Sequence, residues 1–268
     1  MLAQIKPYVI DKGLTNPEDV CVGDLVYTID GNLKIRINSI ESIKMDFYSG
    51  KINVIKSGQN QSLSTDTTRF MYVTGDLKYA TRFAKWSEIE SITPNKEALP
   101  TKYLPVLSFL DDASRTMTDS ELDGLARRIY LGELTDAQYR GMLKNMRGQD
   151  GIVLITLMEE YFSESPGKGK YGRASVKDRL FYIPQKWIVP EIARIAVLSG
   201  YTAQIVDPGI GAIQVNFEST PVPGSIPKNQ KYYKEPFADY VYALNAKNLP
   251  ILGRSRTKWC FMPTTEGE

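Results

Sequence analysis

The order of strand and helix signals along the chain limits its possible folds more than any other feature. Residues 1–100 show the apolar–polar alternation of β-strands, whereas the middle of the chain has the periodicity of amphipathic helices. The end of the chain returns to short strand-like segments. A β region interrupted by a helical region predicts an insertion in a β domain whose two halves meet in space. We therefore expect an α+β fold, in which residues 1–100 and 225–268 form a mainly-β domain and residues 101–224 form an inserted α/β domain.

Turn residues mark the predicted strands. Residues 22–29 alternate up to Asp30-Gly31, a dipeptide that favours a two-residue hairpin turn, and residues 33–40 alternate again. Residues 51–55 and 63–73 flank a polar connection and predict a second hairpin. A loop and strand are predicted at 168–182, further strands at 203–206 and 212–217 in the middle region, and others at 239–244, 249–252 and 258–261 near the end.

Capping residues and glycines define the predicted helices. Thr118 and Glu121 have the spacing of a capping box. The apolar residues that follow them recur on one helical face until Gly132, which predicts a helix end. Helices are also predicted at 135–146, 151–162 and 190–199.

The composition argues against several kinds of functional site. The chain has no histidine, and its two cysteines, Cys21 and Cys260, are too few for a disulfide framework or a zinc site. No carboxylate cluster of the kind that holds magnesium stands out, so we expect no cofactor and no metal. No apolar run approaches the roughly 20 residues that span a bilayer, and the first residues lack the apolar core of a signal peptide. We expect a cytoplasmic protein that does not bind membranes.

Basic residues are unevenly distributed, although the chain contains nearly equal numbers of basic and acidic residues, 33 and 31. Residues 165–200 and residues 225–260 each contain seven basic and two acidic residues. The compensating acidic residues lie mainly at 111–123 and in the last three positions. Such segregation predicts basic surfaces rather than a uniformly charged protein.

Three segments read like blocks of a known family. Residues 22–28 have the sequence Val-Gly-Asp-Leu-Val-Tyr-Thr. Residues 63–73 run from Leu-Ser-Thr to Thr-Arg-Phe-Met-Tyr-Val, and residues 240–254 hold two short apolar segments around a turn. These segments, in this order, resemble the Hint domain, the self-cleaving β-fold of inteins and hedgehog proteins. The resemblance covers residues 1–75 and 236–262 and implies a Hint-like fold for the mainly-β domain.

The residues that carry the chemistry of the Hint family are replaced. The second Hint block contains a histidine that helps to break the peptide bond at the splice junction, and here Thr68 occupies its position. A threonine hydroxyl does not titrate near neutral pH and cannot exchange protons as an imidazole does. Met1 stands where splicing domains begin with cysteine or serine, and the closing segment has no asparagine. The resemblance therefore implies a degenerate scaffold that does not splice.

Residues 125–134 and 190–205 of the inserted region read like parts of a second family. They resemble the first motif helix and a later helix–strand segment of the LAGLIDADG homing endonucleases that many inteins carry. The resemblance places Glu133 at the metal-binding carboxylate. The second motif would fall at 154–163, which lacks the usual Gly-Asp-Gly ending. Because these nucleases need two carboxylates to share magnesium over the scissile phosphates, the resemblance implies a degenerate endonuclease-like domain.

Several short segments combine basic and aromatic residues, a combination that favours single-stranded nucleic acid. Cations neutralise phosphates, and aromatic side chains stack on bases that are exposed in a single strand. The alternatives are that aromatic residues such as Trp187 and Trp259 belong to the core and that the basic residues form an ordinary solvated surface. The predicted nucleic-acid-binding residues are Arg82, Lys85, Lys168, Lys170, Tyr171, Arg173, Lys228, Lys231, Tyr232, Tyr233, Arg254, Arg256 and Lys258.

We therefore expect a non-enzymatic protein that binds single-stranded DNA. It resembles the phage-encoded single-stranded DNA-binding proteins that act in transcription or replication as cofactors of a phage RNA polymerase. That resemblance implies a polymerase partner and a location in the cytoplasm of an infected bacterial host. Two alternatives remain: a weakened, magnesium-dependent homing endonuclease that pairs Glu133 with Glu160 or Asp150, and a structural module that binds other proteins. The sequence does not define the oligomeric state.

Overall fold

The computed structural model of the protein describes residues 1–30, 34–57, 60–73, 81–85, 102–103, 113–163, 178–207, 211–216, 230–255, 258–262 and 264–265, some of them by their backbone alone. It contains both helices and antiparallel sheets, which confirms the α+β class. The chain divides into two compact units. Unit 1 comprises Met1–Leu107 with Gly224–Glu268, and unit 2 comprises Ser108–Pro223. The sequence predicts domain boundaries at residues 100 and 224.

The described strands are short except for β6 and β14, which have 16 residues each. The strands before residue 113 are β1 (Leu2–Ala3), β2 (Ile5–Val9), β3 (Gly13–Leu14), β4 (Leu25–Ile29), β5 (Ile35–Ser39), β6 (Ser42–Ser57), β7 (Asn60–Ser64), β8 (Thr68–Val73), β9 (Thr81–Lys85) and β10 (Lys102–Tyr103). Those after it are β11 (Asp178–Tyr182), β12 (Thr202–Asp207), β13 (Ala212–Asn216), β14 (Gln230–Asn245), β15 (Ile251–Ser255), β16 (Lys258–Met262) and β17 (Thr264–Thr265).

Strands from both ends of the chain belong to the same sheets in unit 1. β1, β14, β6 and β7 close a small barrel. Within it, β6 and β14 pair along their entire length, from Ser42 opposite Asn245 to Ser57 opposite Gln230. In a second sheet, β15 lies between β16 and β2, and β4 pairs with both β2 and β5. In a third, β8 pairs with β9 and β17.

Two clusters of buried apolar side chains belong to the described part of the core of unit 1. One includes Ile40 and Leu244 together with residues of β2 and β4. The other includes Ile52 and Val54 of β6, Leu63 of β7 and residues of β14. Each of the two long strands therefore contributes some side chains to the core, while others that the structure describes, such as Phe47 and Tyr240, are exposed to solvent.

Unit 2 contains the described helices, α1 (Asp119–Leu131), α2 (Asp136–Gln138), α3 (Gly148–Ser163) and α4 (Val189–Leu198), and a sheet of β11, β13 and β12. The Thr118 hydroxyl accepts a hydrogen bond from the backbone amide of Glu121, whose carboxylate accepts one from the amide of Thr118. α1 ends at Gly132, which has a φ of 74°. Both predicted helix boundaries are confirmed. No helix among the described residues has the length and apolar character needed to cross a membrane.

The helix predicted at 135–146 is confirmed in its start, where Thr135 and Gln138 form a capping box, but only its first turn is α-helical and it ends at Leu143. The structure has only the three residues of α2, followed by a π-helical turn at Tyr139–Leu143. The buried guanidinium of Arg194 donates hydrogen bonds to the carbonyl oxygens of Leu143 and Met146, at 2.7 and 3.0 Å. These carbonyls therefore bond to a side chain of α4 rather than to amides of further helical turns, a relationship that local periodicity does not reveal.

Candidate nucleic-acid interface

The predicted nucleic-acid-binding residues differ in how much of each is described. Lys168, Lys170, Tyr171, Arg173, Lys228 and Arg256 lie outside the described residues. The side chains of Arg82 and Lys85 on β9, Lys231 and Tyr232 on β14, and Lys258 on β16 lie outside the description as well, although their backbone is placed. Tyr233 and Arg254 are described completely, and both belong to unit 1.

Arg254 lies directly opposite a second cation. In the pairing of β15 with β2, Arg254 faces Lys6, so the two side chains project from the same side of the sheet. Both residues are partly buried. Burial lowers the pKa of the Arg254 guanidinium below its usual value. Among the described residues, none forms a hydrogen bond or ion pair with either side chain, so two like charges face each other without a described counter-charge.

Trp259 does not extend this basic site as an exposed stacking surface. It faces Arg254 across the pairing of β15 with β16 and is fully buried. Its ring centroid lies 5.7 Å from that of Tyr8, which itself contacts Tyr27 at 6.1 Å. Of the two interpretations left open by the sequence, the structure supports the core role for Trp259. An aromatic ring enclosed in this way cannot stack on a base without unfolding the sheet around it.

Tyr233 is exposed, but its surroundings do not favour phosphate. It faces Val54 in the pairing of β14 with β6. Because side chains alternate along a strand, Tyr233 shares its face of β14 with Glu235 and Asp239. Glu235, two positions from Tyr233, is the nearer of the two carboxylates and is unfavourable to a phosphate backbone, so the described side chains give this tyrosine little support as a nucleic-acid contact.

The opposite face of the same strand pair carries exposed apolar side chains that are not among the residues predicted from the sequence. Met45 and Phe47 on β6 and Tyr240 on β14 are all among the large apolar residues that remain exposed. The missed signal is the alternation of Ile43, Met45 and Phe47, which has the period of a strand. Charged and small residues between and after these positions obscure it, and only residues 51–55 of this strand are predicted.

Thr68, in the position that the Hint resemblance assigns to a histidine, binds the backbone of the first residue. Its hydroxyl oxygen accepts a hydrogen bond from the Met1 nitrogen at 2.8 Å and donates one to the Met1 carbonyl oxygen at 2.9 Å. The Thr65 hydroxyl also accepts from the Met1 nitrogen, at 2.6 Å. Burial lowers the pKa of the Met1 α-amino group to about 5. These contacts anchor the first strand to the start of β8.

The carboxylates of the nuclease alternative occupy different environments. Asp150 is buried and accepts hydrogen bonds from the hydroxyl and backbone amide of Thr116 and from the amide of Met117. Its oxygens therefore hold the segment before α1, and burial together with these bonds makes the carboxylate a poor candidate for a shared metal ion. Glu133 and Glu160 are exposed. Among the described residues, no group of three or more histidine, cysteine, aspartate or glutamate side chains could hold a metal ion.

Comparison with known proteins adds no family assignment to this geometry. No protein-family model matches the sequence, and no curated protein matches it. The functional interpretation therefore depends on the residues themselves.

Proposed function

We propose that this chain is a non-enzymatic protein that binds single-stranded DNA. The observation that carries the proposal is the cation pair formed by Lys6 and Arg254 on neighbouring strands. Holding two like charges opposite each other is unfavourable, and partial burial adds a desolvation cost for Arg254. A phosphate group placed between the two side chains would offset both costs, because it accepts charge-assisted hydrogen bonds from guanidinium and ammonium groups.

The distribution of charge along the sequence supports a polyanionic ligand rather than an isolated phosphate. Arg254 lies in one of the two segments that each contain seven basic and two acidic residues. A chain of phosphates can contact several such cations at once, and each contact releases counterions from the nucleic acid. Non-specific, salt-sensitive binding is the expected result.

A degenerate Hint-like scaffold with a LAGLIDADG-like insertion is the finer structural proposal. In the Hint family the histidine helps to break the peptide bond at the splice junction, and the resemblance places Met1 at that junction, so the residue in the histidine position is expected to lie beside Met1. The hydrogen bonds between Thr68 and Met1 are of this kind and support the proposal. The interleaving of strands from both chain ends in unit 1, around an insertion that contains helices, supports it as well.

The proposed cellular role is that of a phage-encoded cofactor of a phage RNA polymerase, acting in transcription or replication within an infected bacterial cell. This proposal is supported by the resemblance of the sequence to phage-encoded single-stranded DNA-binding proteins. Co-purification of the polymerase with the protein, persisting after nuclease treatment, would test this partner separately from DNA binding.

The test of DNA binding neutralises the cation pair. We expect the double variant Lys6→Gln/Arg254→Gln to bind fluorescein-labelled oligo(dT) more weakly than wild type at low salt in fluorescence anisotropy titrations. Log K falls linearly with the logarithm of the salt concentration, and each phosphate contact to a single strand contributes about 0.7 to the steepness of that fall. Loss of two contacts would therefore make the slope less steep by about 1.4. The matched control is Arg127→Gln/Arg128→Gln, which removes two exposed charges from α1. Equal affinities and slopes for the cation-pair variant and wild type would exclude Lys6 and Arg254 from the interface.

A further inference from the structure

The long strands β6 and β14 form a two-stranded ribbon with two chemically different faces. Their pairing has no described register shift over 16 residue pairs, so alternation assigns each described side chain to one face or the other. One face carries Asp46 of β6 together with Glu235 and Asp239 of β14. The opposite face, between Met45 and Lys51 on β6 and between Lys234 and Tyr240 on β14, has no acidic residue; we call it the aromatic face. Its members are Met45, Phe47, Ser49, Lys51, Lys234, Pro236, Ala238 and Tyr240.

The aromatic face is open to solvent along its whole length. All eight of its residues are exposed, whereas Ile43 and Tyr242, which continue this face in one direction, pack against the core. Phe47 and Tyr240 face each other directly across the two strands, with ring centroids 5.6 Å apart and planes at 81°. Their exposed fractions of 63% and 48% leave much of each ring uncovered after the pair has formed. Met45 beside them is 52% exposed.

The charges on the aromatic face are suited to a polyanion. Lys51 is exposed two positions after Ser49 on the same side of β6, and Lys234 lies two positions before Pro236, which faces Lys51, on β14. Lys234 forms an ion pair with Asp66 at 3.5 Å, where both side chains are substantially exposed, so the pair is weak and solvent-screened. Lys51 lies four positions after Phe47 on the extended strand, a distance of about 13 Å, which equals the rise of about four stacked nucleotides.

We propose that the aromatic face of the β6–β14 ribbon is the base-stacking platform for single-stranded DNA. Phe47 and Tyr240 stack on unpaired bases, Met45 widens the apolar contact, and Lys51 contacts the phosphate backbone further along the strand. The shallow residues Ser49, Pro236 and Ala238 leave room for the nucleotides between the rings and the lysine. This inference rests on the proposed function and deepens it, since it identifies the surface that contacts the bases of the DNA rather than its phosphates.

Base stacking can be separated from phosphate binding with an abasic probe. We would titrate wild type and Phe47→Leu/Tyr240→Leu with labelled dT16 and with an abasic deoxyribose-phosphate strand of equal length at one salt concentration. The leucines keep an apolar pair across the ribbon but remove both rings, and a thermal unfolding curve checks that the variant is folded. The matched control is Tyr233→Leu, which removes an exposed ring from the opposite face of the same strand.

The expected result is a preference of wild type for dT16 over the abasic strand that falls at least tenfold in Phe47→Leu/Tyr240→Leu and is retained in Tyr233→Leu. Affinity for the abasic strand should be the same for all three proteins, because the cations are intact. If wild type prefers dT16 and the folded double variant keeps the same preference, the proposal that this face stacks on bases is wrong, but the proposal that the protein binds single-stranded DNA is unaffected. If wild type binds neither strand, the proposed function itself fails, and the assignment of the face fails with it.

A protein partner for this face would produce a different pattern. Self-association that requires Phe47 and Tyr240, measured by sedimentation velocity in the absence of DNA, would overturn the nucleic-acid assignment. We expect the sedimentation coefficients of wild type and the double variant to be equal.

Discussion

The hydroxyl of Thr68 bonds to both the nitrogen and the carbonyl oxygen of Met1, so one fully buried side chain satisfies two backbone groups at the start of the chain. The Thr65 amide donates a further hydrogen bond to the same carbonyl oxygen at 2.9 Å. Replacing Thr68 with a residue that lacks a hydroxyl group would leave the partly buried Met1 nitrogen with fewer hydrogen-bond partners.

Thr68→Val tests this anchoring role. Valine has nearly the shape of threonine but can form neither hydrogen bond, so we expect the free energy of unfolding to fall by about 1–3 kcal/mol. Thr68→Ser keeps the hydroxyl and loses one methyl group, at a cost of about 0.8 kcal/mol. Urea denaturation followed by circular dichroism measures both. A Thr68→Val protein as stable as wild type would show that these hydrogen bonds contribute nothing.

Arg194 is expected to be essential for the stability of unit 2. Its fully buried guanidinium bonds to the Glu191 carboxylate as well as to the carbonyls of Leu143 and Met146. Arg194→Met should reduce the free energy of unfolding by about 3–5 kcal/mol, because it leaves a buried carboxylate without its cation. The control Arg128→Met, at an exposed position of α1, should change it by less than about 0.5 kcal/mol.

A double variant that removes both members of the Arg194–Glu191 ion pair tests whether the unpaired charge causes the loss of stability. In Arg194→Met/Glu191→Met no unpaired charge remains, so the double variant should be more stable than Arg194→Met alone in the same denaturation experiment. Additive losses from the two substitutions would contradict the ion pair as the source of the effect.

Asp24 is expected to make stability depend on pH in the acidic range. Partial burial alone would raise the pKa of this carboxyl, but hydrogen bonds from the Lys12 ammonium and the Cys21 amide, each 2.8 Å long, lower it below its usual 3.8. A group with a lowered pKa in the folded state stabilises the protein above the pKa of the unfolded state. That contribution is lost as the pH falls through the folded-state pKa.

Asp24→Asn measures this contribution. We expect the variant to be less stable than wild type at pH 7 and the difference to shrink as the pH falls below 3.8, because wild-type Asp24 then becomes protonated. Urea denaturation at pH 7, 4 and 3 would follow it. A difference that stays constant between pH 7 and pH 3 would contradict the lowered pKa.

No magnesium-dependent nuclease activity is expected. Asp150 accepts hydrogen bonds from Thr116 and Met117, which makes it a poor partner for Glu133 in binding a metal ion. Incubation of supercoiled plasmid with purified protein and magnesium should give no more nicking than a Glu133→Gln preparation. Nicking by wild type that Glu133→Gln abolishes would instead establish the endonuclease alternative.

Local signals in the sequence were sufficient for some elements and insufficient for others. Thr118, Glu121 and Gly132 define α1 because capping bonds and a left-handed φ depend on neighbouring residues only. The helix after Thr135 changes to a π-helical turn and ends at Leu143, where the carbonyls of Leu143 and Met146 accept hydrogen bonds from Arg194, which is distant in the sequence. Such tertiary contacts leave no periodic signal.

The candidate site also depends partly on features visible in the sequence and partly on tertiary contacts. The basic character around Arg254 is visible in the sequence, but its opposition to Lys6 depends on the pairing of β15 with β2, which joins the two ends of the chain. The exposure of Phe47 likewise depends on the pairing of β6 with β14, in which Phe47 lies opposite Tyr240. A large aromatic residue in an alternating segment ordinarily predicts core, and only the position of the strand at the surface makes it available for binding.

The most direct test of DNA binding is a comparison of single-stranded and duplex oligonucleotides of equal length. Fluorescence anisotropy without magnesium, at a low and a high salt concentration, would give the four dissociation constants. We expect tighter binding to the single strand at both salt concentrations and a steep loss of affinity for it at high salt. A preference for duplex, or no binding to either oligonucleotide at low salt, would contradict the proposed function.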